Sequence, residues 1–265
     1  MYYMYFSFDL ISDLHLESRT EFDWTGQPTS QCCIIAGDIS KNNEDIVSCL
    51  SHLSECYRKV IFIDGNSEHR KNYSNLGNSY QRLFEEIQDI PDVIFLQDNM
   101  VIINGVAIVG TNGWWTYDFD TTLDFEESVY YAVNRYGITL ADAMILRGMA
   151  INDAEYLSKT IERCQTMPDI KKIVVVTHTV PHEQIVTPDQ ELVGDFQTNL
   201  LGNSNIKQIL NNDTERKIDT WCFGHYHKDV DLMINDVRYV NNCFGKKDSP
   251  WAKSVYFPKK IEITF

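Results

Sequence analysis

The chain has 265 residues, of which 38 are acidic and 23 basic, for a formal net charge of −15. That balance excludes a surface built to grip long stretches of nucleic-acid backbone, because phosphate contacts need Lys and Arg. It leaves room for a small phosphorylated ligand held by metal ions. With 43% apolar residues, the composition is that of a soluble globular protein with one large core. Seven cysteines, an odd number without CxxC spacing, point to reduced, buried thiols and a cytoplasmic setting. No apolar run approaches membrane-spanning length.

Taken in chain order, Tyr3 to Ile11 reads as a strand ending at Ser12-Asp13-Leu14-His15. The aromatic N-terminus lacks the basic region of a signal peptide. A polar, mobile stretch is expected from Glu17 to Gln31, where Gly26 and Pro28 act as breakers. Cys32 to Ala36 has the character of a buried strand and stops at Gly37-Asp38. Asn43 to Tyr57 carries apolar residues at helical spacing, and Val60 to Ile63 is a strand stopping at Asp64-Gly65-Asn66. A helix is expected over Ser79 to Gln88 and a short strand over Val93 to Leu96. Asn104-Gly105 marks a hairpin within Val101 to Val109. Strand, loop and helix alternate here, which predicts a layered α/β fold with parallel pairings.

Trp114 to Tyr136 breaks this rhythm with eight aromatics among acids, and it reads as an insertion packed on one edge of the fold. Whether it caps the structure or overhangs a site is left open. Ile151 to Cys164 resumes a helical pattern, and Ile173 to Val176 is a strand of four β-branched residues ending at Thr177-His178. A short helix is expected near Ile206 to Leu210. A strand through Phe223 then leads into Gly224-His225-Tyr226-His227, and Asn235-Asp236 joins a second hairpin. Ile261 to Phe265 is the closing strand. No repeat or linker divides the chain, so residues 1–265 read as a single domain with the acidic aromatic insertion at about 112–150.

Five strand-to-loop junctions end in metal-ligand types: Asp13 and His15, Asp38, Asn66, His178, and His225 with His227. Loops at the carboxyl ends of neighbouring strands in an open α/β sheet converge on one crevice. Gathered there, these seven residues suit two divalent ions about 3.5–4 Å apart with one carboxylate bridging them. A mixed Asp, His and Asn set favours Mn, Fe or Zn over Ca.

The order Asp-x-His, Gly-Asp, Gly-Asn, His, Gly-His-x-His resembles the calcineurin-like metallophosphoesterase superfamily across nearly the whole chain. Pro181 after His178 and Asn242-x-x-Gly245 near the closing strand add to the likeness. The resemblance implies a four-layer α/β/β/α sandwich, two mixed sheets packed face to face with helices outside. It also implies Asp13, His15, Asp38 and His227 on one metal, and Asp38, Asn66, His178 and His225 on the other. The ions implied are divalent transition metals, Mn first, with Fe, Zn or Ni as alternatives. A hydroxide between them would attack phosphorus.

One departure bears on the chemistry. The family's Gly-Asn is followed by a His that protonates the leaving oxygen, whereas here the run is Gly65-Asn66-Ser67-Glu68-His69. Serine is too weak an acid for that role, and a missing general acid costs about 10²–10⁴ in rate. His69 is a candidate substitute only if the loop bends. A natural specialisation, an inactivating substitution and a degenerate enzyme all fit this departure. The leading expectation is a metal-dependent phosphoesterase favouring phosphodiesters or cyclic nucleotides, whose leaving groups need little protonation. The alternatives are a nucleotide or protein phosphomonoesterase, and an inactive scaffold that binds a partner. The expected partner is a small phosphate ester, with a nucleotide among the options. His52 and Tyr226 have ordinary structural or surface readings; His182 reads as an exposed loop histidine or as one facing the substrate, and the C-terminal lysines Lys246, Lys247, Lys253, Lys259 and Lys260 as a solvated face or one that attracts a nucleotide phosphate.

Overall fold

The computed structural model describes residues 5–19, 22–70, 72–186, 189–192 and 194–265. The expected strand start at Tyr3 lies outside these. Among them are strands β1 (Tyr5–Ile11), β2 (Cys32–Ala36), β3 (Lys59–Ile63), β4 (Val93–Phe95), β5 (Asn99–Ile103) and β6 (Val106–Gly110). They continue with β7 (Lys172–Val176), β8 (Ile218–Phe223), β9 (Val230–Ile234), β10 (Val237–Asn241) and β11 (Lys259–Thr264). The helices are α1 (Asn43–Cys56), α2 (Asn66–His69), α3 (Leu76–Ile87), α4 (Phe125–Tyr136) and α5 (Leu140–Thr166).

Two mixed sheets result, in the orders β11-β1-β2-β3-β4 and β5-β6-β7-β8-β10-β9. In the first, β1 to β4 run parallel and β11 is antiparallel to β1. In the second, β6, β7, β8 and β10 run parallel, with β5 and β9 antiparallel at the edges. The central strands β2, β6 and most of β7 are unbroken apolar runs, as strands covered on both faces require. Between the sheets lie Phe8, Leu10, Ile34 and Ile61 from one and Ile108, Val174, Cys222 and Val240 from the other. The outer face of the first sheet packs on α1 and α3 through Leu50, Leu53, Leu83 and Ile87. Leu157, Ile161 and Cys164 of α5 cover Val109, Val175 and Trp221 of the second. The expected four layers are present.

Both hairpins turn where Asn-Gly and Asn-Asp were expected to turn them. Asn104 and Gly105 have φ of 50° and 81°, and Asn235 and Asp236 have 49° and 66°. Two successive positive φ values are the type I′ geometry, whose twist matches that of the flanking strands.

Two local expectations need correction. The helix expected from Ile151 begins at Leu140, where Thr139 caps it and exchanges hydrogen bonds with Asp142. Ala143, Leu146 and Ala150 extend its buried face through the supposed insertion. Residues 22–31 are anchored rather than loose: Trp24 is buried, its indole donates to Tyr57 Oη at 2.8 Å and its amide to His52 Nε2 at 2.9 Å. The short helix expected near Ile206 to Leu210 is present, as a 3₁₀ helix over Ile206–Asn212.

Trp114, Trp115 and Tyr117 are fully buried and pack with Tyr73, Leu76, Val129, Leu146 and Leu200. A buried carboxylate ties this stretch to α5. Asp153 Oδ2 accepts the amides of Gly113 at 2.8 Å and Trp114 at 3.1 Å. Burial, reinforced by the charge of Asp98, pushes the Asp153 carboxyl up to about 7. A carboxyl whose folded value lies above its unfolded value costs stability as it ionises. This contribution is therefore fully present below about pH 4, the unfolded carboxyl range, and is lost as the pH rises towards 7. Asp153→Asn keeps an acceptor for the two amides but cannot ionise. Its melting temperature is expected to fall less than the parent's between pH 5 and pH 8 in thermal unfolding followed by circular dichroism. Parallel curves for the two proteins would contradict this reading.

Candidate metal centre

Every residue singled out as a ligand lies at the carboxyl end of a parallel strand. Asp13 and His15 follow β1, Asp38 follows β2, Asn66 follows β3, His178 follows β7, and His225 and His227 follow β8. The two sheets are laced together at this end. Ser12 donates its amide to Asn242 O and Phe244 donates to Ser12 O, both at 3.0 Å. The Asn242 side chain donates to Leu10 O at 2.8 Å, which accounts for the Asn242 signal in the sequence.

The turns are tight. Asp13, His15, Asp38 and His225 all have positive φ, between 47° and 64°. Non-glycine residues held there store about 1–3 kcal/mol each and collect at functional sites. Glycine backs the cluster where nothing larger fits. A Cβ on Gly224 would lie 2.5 Å from Ala36 O and 2.8 Å from Asp13 Oδ2, and one on Gly37 would lie 2.5 Å from His178 Nδ1.

The result is a knot of electron-pair donors. One ligand atom from each of Asp13, His15, Asp38 and His227 falls within 4.8 Å of the others. His15 Nε2 faces His227 Nε2 at 3.1 Å, His227 Nε2 lies 3.4 Å from Asp13 Oδ1, and His15 Nε2 lies 3.6 Å from Asp38 Oδ2. Beside it, His178 Nδ1 sits 2.8 Å from the Ala36 carbonyl oxygen. A carbonyl only accepts, so in the neutral ring Nδ1 carries the proton and Nε2 the lone pair. That lone pair points at Asn66 Oδ1 at 3.2 Å and Asp38 Oδ1 at 3.4 Å. His225 Nε2 donates to Leu200 O at 2.9 Å, which leaves its Nδ1 as the free electron pair. Oxygen and nitrogen lone pairs aimed at one another repel unless a cation stands among them, and these donor types fit a borderline transition metal.

Electrostatics support the ionised acids. Burial opposes the charge on Asp13, but the His227 hydrogen bond and nearby imidazoles hold it at about 2. Asp38 also lies well below the usual carboxylate range: burial opposes ionisation, and His178, His15, His225 and the Ser67 amide outweigh it. Burial, then His178, pushes His225 down to about 3, so the ring is neutral and able to ligate.

The loop after β3 has an internal logic that the sequence did not disclose. Glu68 accepts the amides of Asp38 at 3.1 Å, Ile39 at 2.6 Å, Ser40 at 3.3 Å and Gly65 at 2.7 Å, joining two ligand loops. Ser67 is 1% exposed and caps Asp38: its amide donates to Oδ1 and its hydroxyl to Oδ2, both at 2.7 Å. The loop does not bend His69 into the site. Its ring is fully buried between Asp64 Oδ2 at 3.0 Å and Ser79 Oγ at 2.8 Å, with Tyr80 against it. His182 is buried too, edge-on to Tyr239.

A cleft of about 360 Å³ opens over the centre. Asp38, Asn66, His225 and His227 form its floor, and Arg70, Arg135, Tyr136, Lys246 and Trp251 stand in its walls. Reading the sequence missed Arg70 and Arg135 altogether and placed Lys246 among C-terminal lysines that form a solvated face or attract a nucleotide phosphate. Their neighbours carry no local signature. Of the aromatic segment, Trp115 stacks on the His225 ring at 5.7 Å and 14°, so that stretch supports a candidate ligand as well as a core.

No family model matches the chain, and no curated protein matches it. Solved structures do. Phosphopantetheinyl hydrolase (PptH) from Mycobacterium tuberculosis superposes with a TM-score of 0.67 at 18% identity, over 96% of this chain and 95% of that one. A putative 5′-nucleotidase from Staphylococcus aureus gives 0.48 at 13% identity, over 90% of this chain and 48% of that one. GAP50, the anchor in the inner membrane complex of Plasmodium, gives 0.49 at 10% identity, over 98% and 78%. Among the described residues no helix is long and apolar enough to cross a membrane. The chain shares its α/β fold, two mixed sheets between helices, with phosphopantetheinyl hydrolase.

Proposed function

We propose that the chain is a phosphoesterase that works with two divalent transition-metal ions, Mn²⁺ first, on a small phosphate ester. The observation that carries this is the set of lone pairs without protons between them: His178 Nε2, Asn66 Oδ1 and Asp38 Oδ1 beside the Asp13, His15, Asp38 and His227 cluster. Asp13, His15, Asp38 and His227 would hold one ion, and Asp38, Asn66, His178 and His225 the other. Bound ions of this kind supply positive charge to phosphoryl oxygens and make water acidic enough to serve as a nucleophile near neutral pH. The likeness to phosphopantetheinyl hydrolase supports hydrolysis as the reaction type. All seven cysteines are free, in keeping with a reducing, cytoplasmic setting.

The chain's own groups set the rest. Asn66 presents its amide to the cleft floor, and Ser67 and Glu68 hold the Asp38 loop still. Neither Ser67, whose hydroxyl is committed to Asp38, nor the enclosed His69 offers a proton to a departing oxygen. Esters whose leaving group departs without help are therefore the preferred substrates: phosphodiesters, cyclic nucleotides and aryl phosphates.

Protein stripped by chelation is expected to take up close to two Mn²⁺ per chain in calorimetric titration, with a rise in melting temperature. Asp38→Ala should lose more of that uptake than any other single ligand change. Absence of uptake for Mn, Fe, Zn and Ni would end the phosphoesterase reading. In Mn²⁺, turnover on a bis-aryl phosphate is expected to exceed that on an alkyl monoester by more than about 10²-fold, the worth of a positioned acid. Ser67→His should narrow that ratio by raising the alkyl rate. An unchanged ratio in a folded, metal-loaded Ser67→His protein would mean the proton is not supplied at this position.

A further inference from the structure

Beyond the candidate metal ligands, the cleft is lined by both paired and unpaired charges. Of the cations that line it, Lys228 is neutralised, with Asp189 Oδ2 at 2.6 Å and Glu191 Oε2 at 3.3 Å. Arg70, Arg135 and Lys246 line the same cleft from three separate parts of the chain: the end of α2, the last turn of α4, and the loop after β10. None of the three has an acidic partner among the described residues, although the chain carries 38 acids against 23 bases. Burial, together with the like charges of Lys41 and Arg70, pulls the Lys246 ammonium below its ordinary value, while Asp38 and Glu17 oppose this.

Cations gathered in a concave wall without counter-charge are costly until an anion joins them, and guanidinium forks suit phosphoryl oxygens. The wall is also rigid. The Arg70 guanidinium lies 5.8 Å from the Tyr136 ring, Tyr136 stacks on Trp115 at 5.4 Å and 18°, and Trp115 stacks on His225. An unbroken column of rings thus joins Arg70 to a ligand of the metal centre. Trp251, 46% exposed with the Lys228 ammonium 4.1 Å from its ring, offers a flat apolar face across the cleft.

We infer that Arg70, Arg135 and Lys246 form a second anion subsite, and that the substrate is a phosphate ester carrying another phosphoryl group besides the scissile one. The substrate half of this inference rests on the phosphoesterase reading; the subsite does not. Binding can be read without metal. In chelator, at low salt, inorganic diphosphate is expected to bind the protein at least about 10-fold tighter than orthophosphate in calorimetric titration. Arg135→Gln, at an exposed position, should remove most of that advantage and lower the salt dependence of binding. Arg82→Gln, which deletes a surface cation paired with Glu86 on α3, should leave it intact. Equal binding of the two anions, or equal losses in the two variants, would overturn the subsite.

Kinetics in Mn²⁺ separate the two readings. Adenosine 3′,5′-bisphosphate is expected to exceed adenosine 5′-monophosphate in kcat/KM by about 10-fold, and Arg135→Gln should erase that ratio through KM. Hydrolysis of both without preference would refute the subsite while sparing the phosphoesterase. If no ester turns over yet diphosphate still binds through Arg135, the phosphoesterase reading fails and the subsite stands.

Discussion

The structure depends on burying two carboxylates and a crowd of imidazoles at one point between two sheets. Asp13 and Asp38 are almost wholly removed from water, where an isolated carboxylate would protonate. They stay charged because donors point inwards: the Ser67 amide and hydroxyl to Asp38 and the His225 amide to Asp13. A cluster of this kind is held in place only if the loops that carry it have nowhere else to go. Left-handed turns at Asp13, His15, Asp38 and His225, and glycines whose hydrogens touch ligand atoms, remove that freedom.

The two sheets divide the work. The first brings Asp13, Asp38 and Asn66 on neighbouring parallel strands, and Glu68 locks two of those loops together through four amides. The first also carries His15, and the second brings His178, His225 and His227. Contacts across the seam, from His178 to Ala36 O and from the His225 amide to Asp13, set the distance between the halves of the centre. Orientation of the rings follows from their outer nitrogens. Ala36 O takes the His178 proton and Leu200 O takes that of His225, so each ring turns its lone pair inwards.

The aromatic segment is the structural link between centre and cleft. It is neither a detached cap nor a loose lid. Trp114 and Trp115 are buried against α5, Asp153 holds the Gly113 and Trp114 amides, and the stacked rings run from His225 out to Arg70. Acids in the same segment stay on the surface: Asp124 caps α4, and Glu126 and Glu127 occupy its first turn, where the helix dipole favours them.

The layered α/β architecture was legible in the sequence because apolar runs of strand length alternate with helical spacing, and because Asn104-Gly105 and Asn235-Asp236 turn a chain by local conformation alone. The ligand types were legible as well, since each closes a strand and strand ends in such sheets converge. Local pattern failed where tertiary contact decides. The start of α5 was hidden beneath an aromatic-rich composition, and Trp24 looked like part of a loose loop until Tyr57 and His52 were seen to hold it. Ser67 could be recognised as a departure from a motif, but only its burial shows that the hydroxyl serves Asp38 and not the cleft. His69 lies two residues from that position in sequence and is sealed off from it by Asp64, Ser79 and Tyr80. Arg70, Arg135 and Lys246 share no spacing at all. Sequence fixes which side chains a turn can present, whereas the crossing of three distant segments over one cleft is a property of the packed layers.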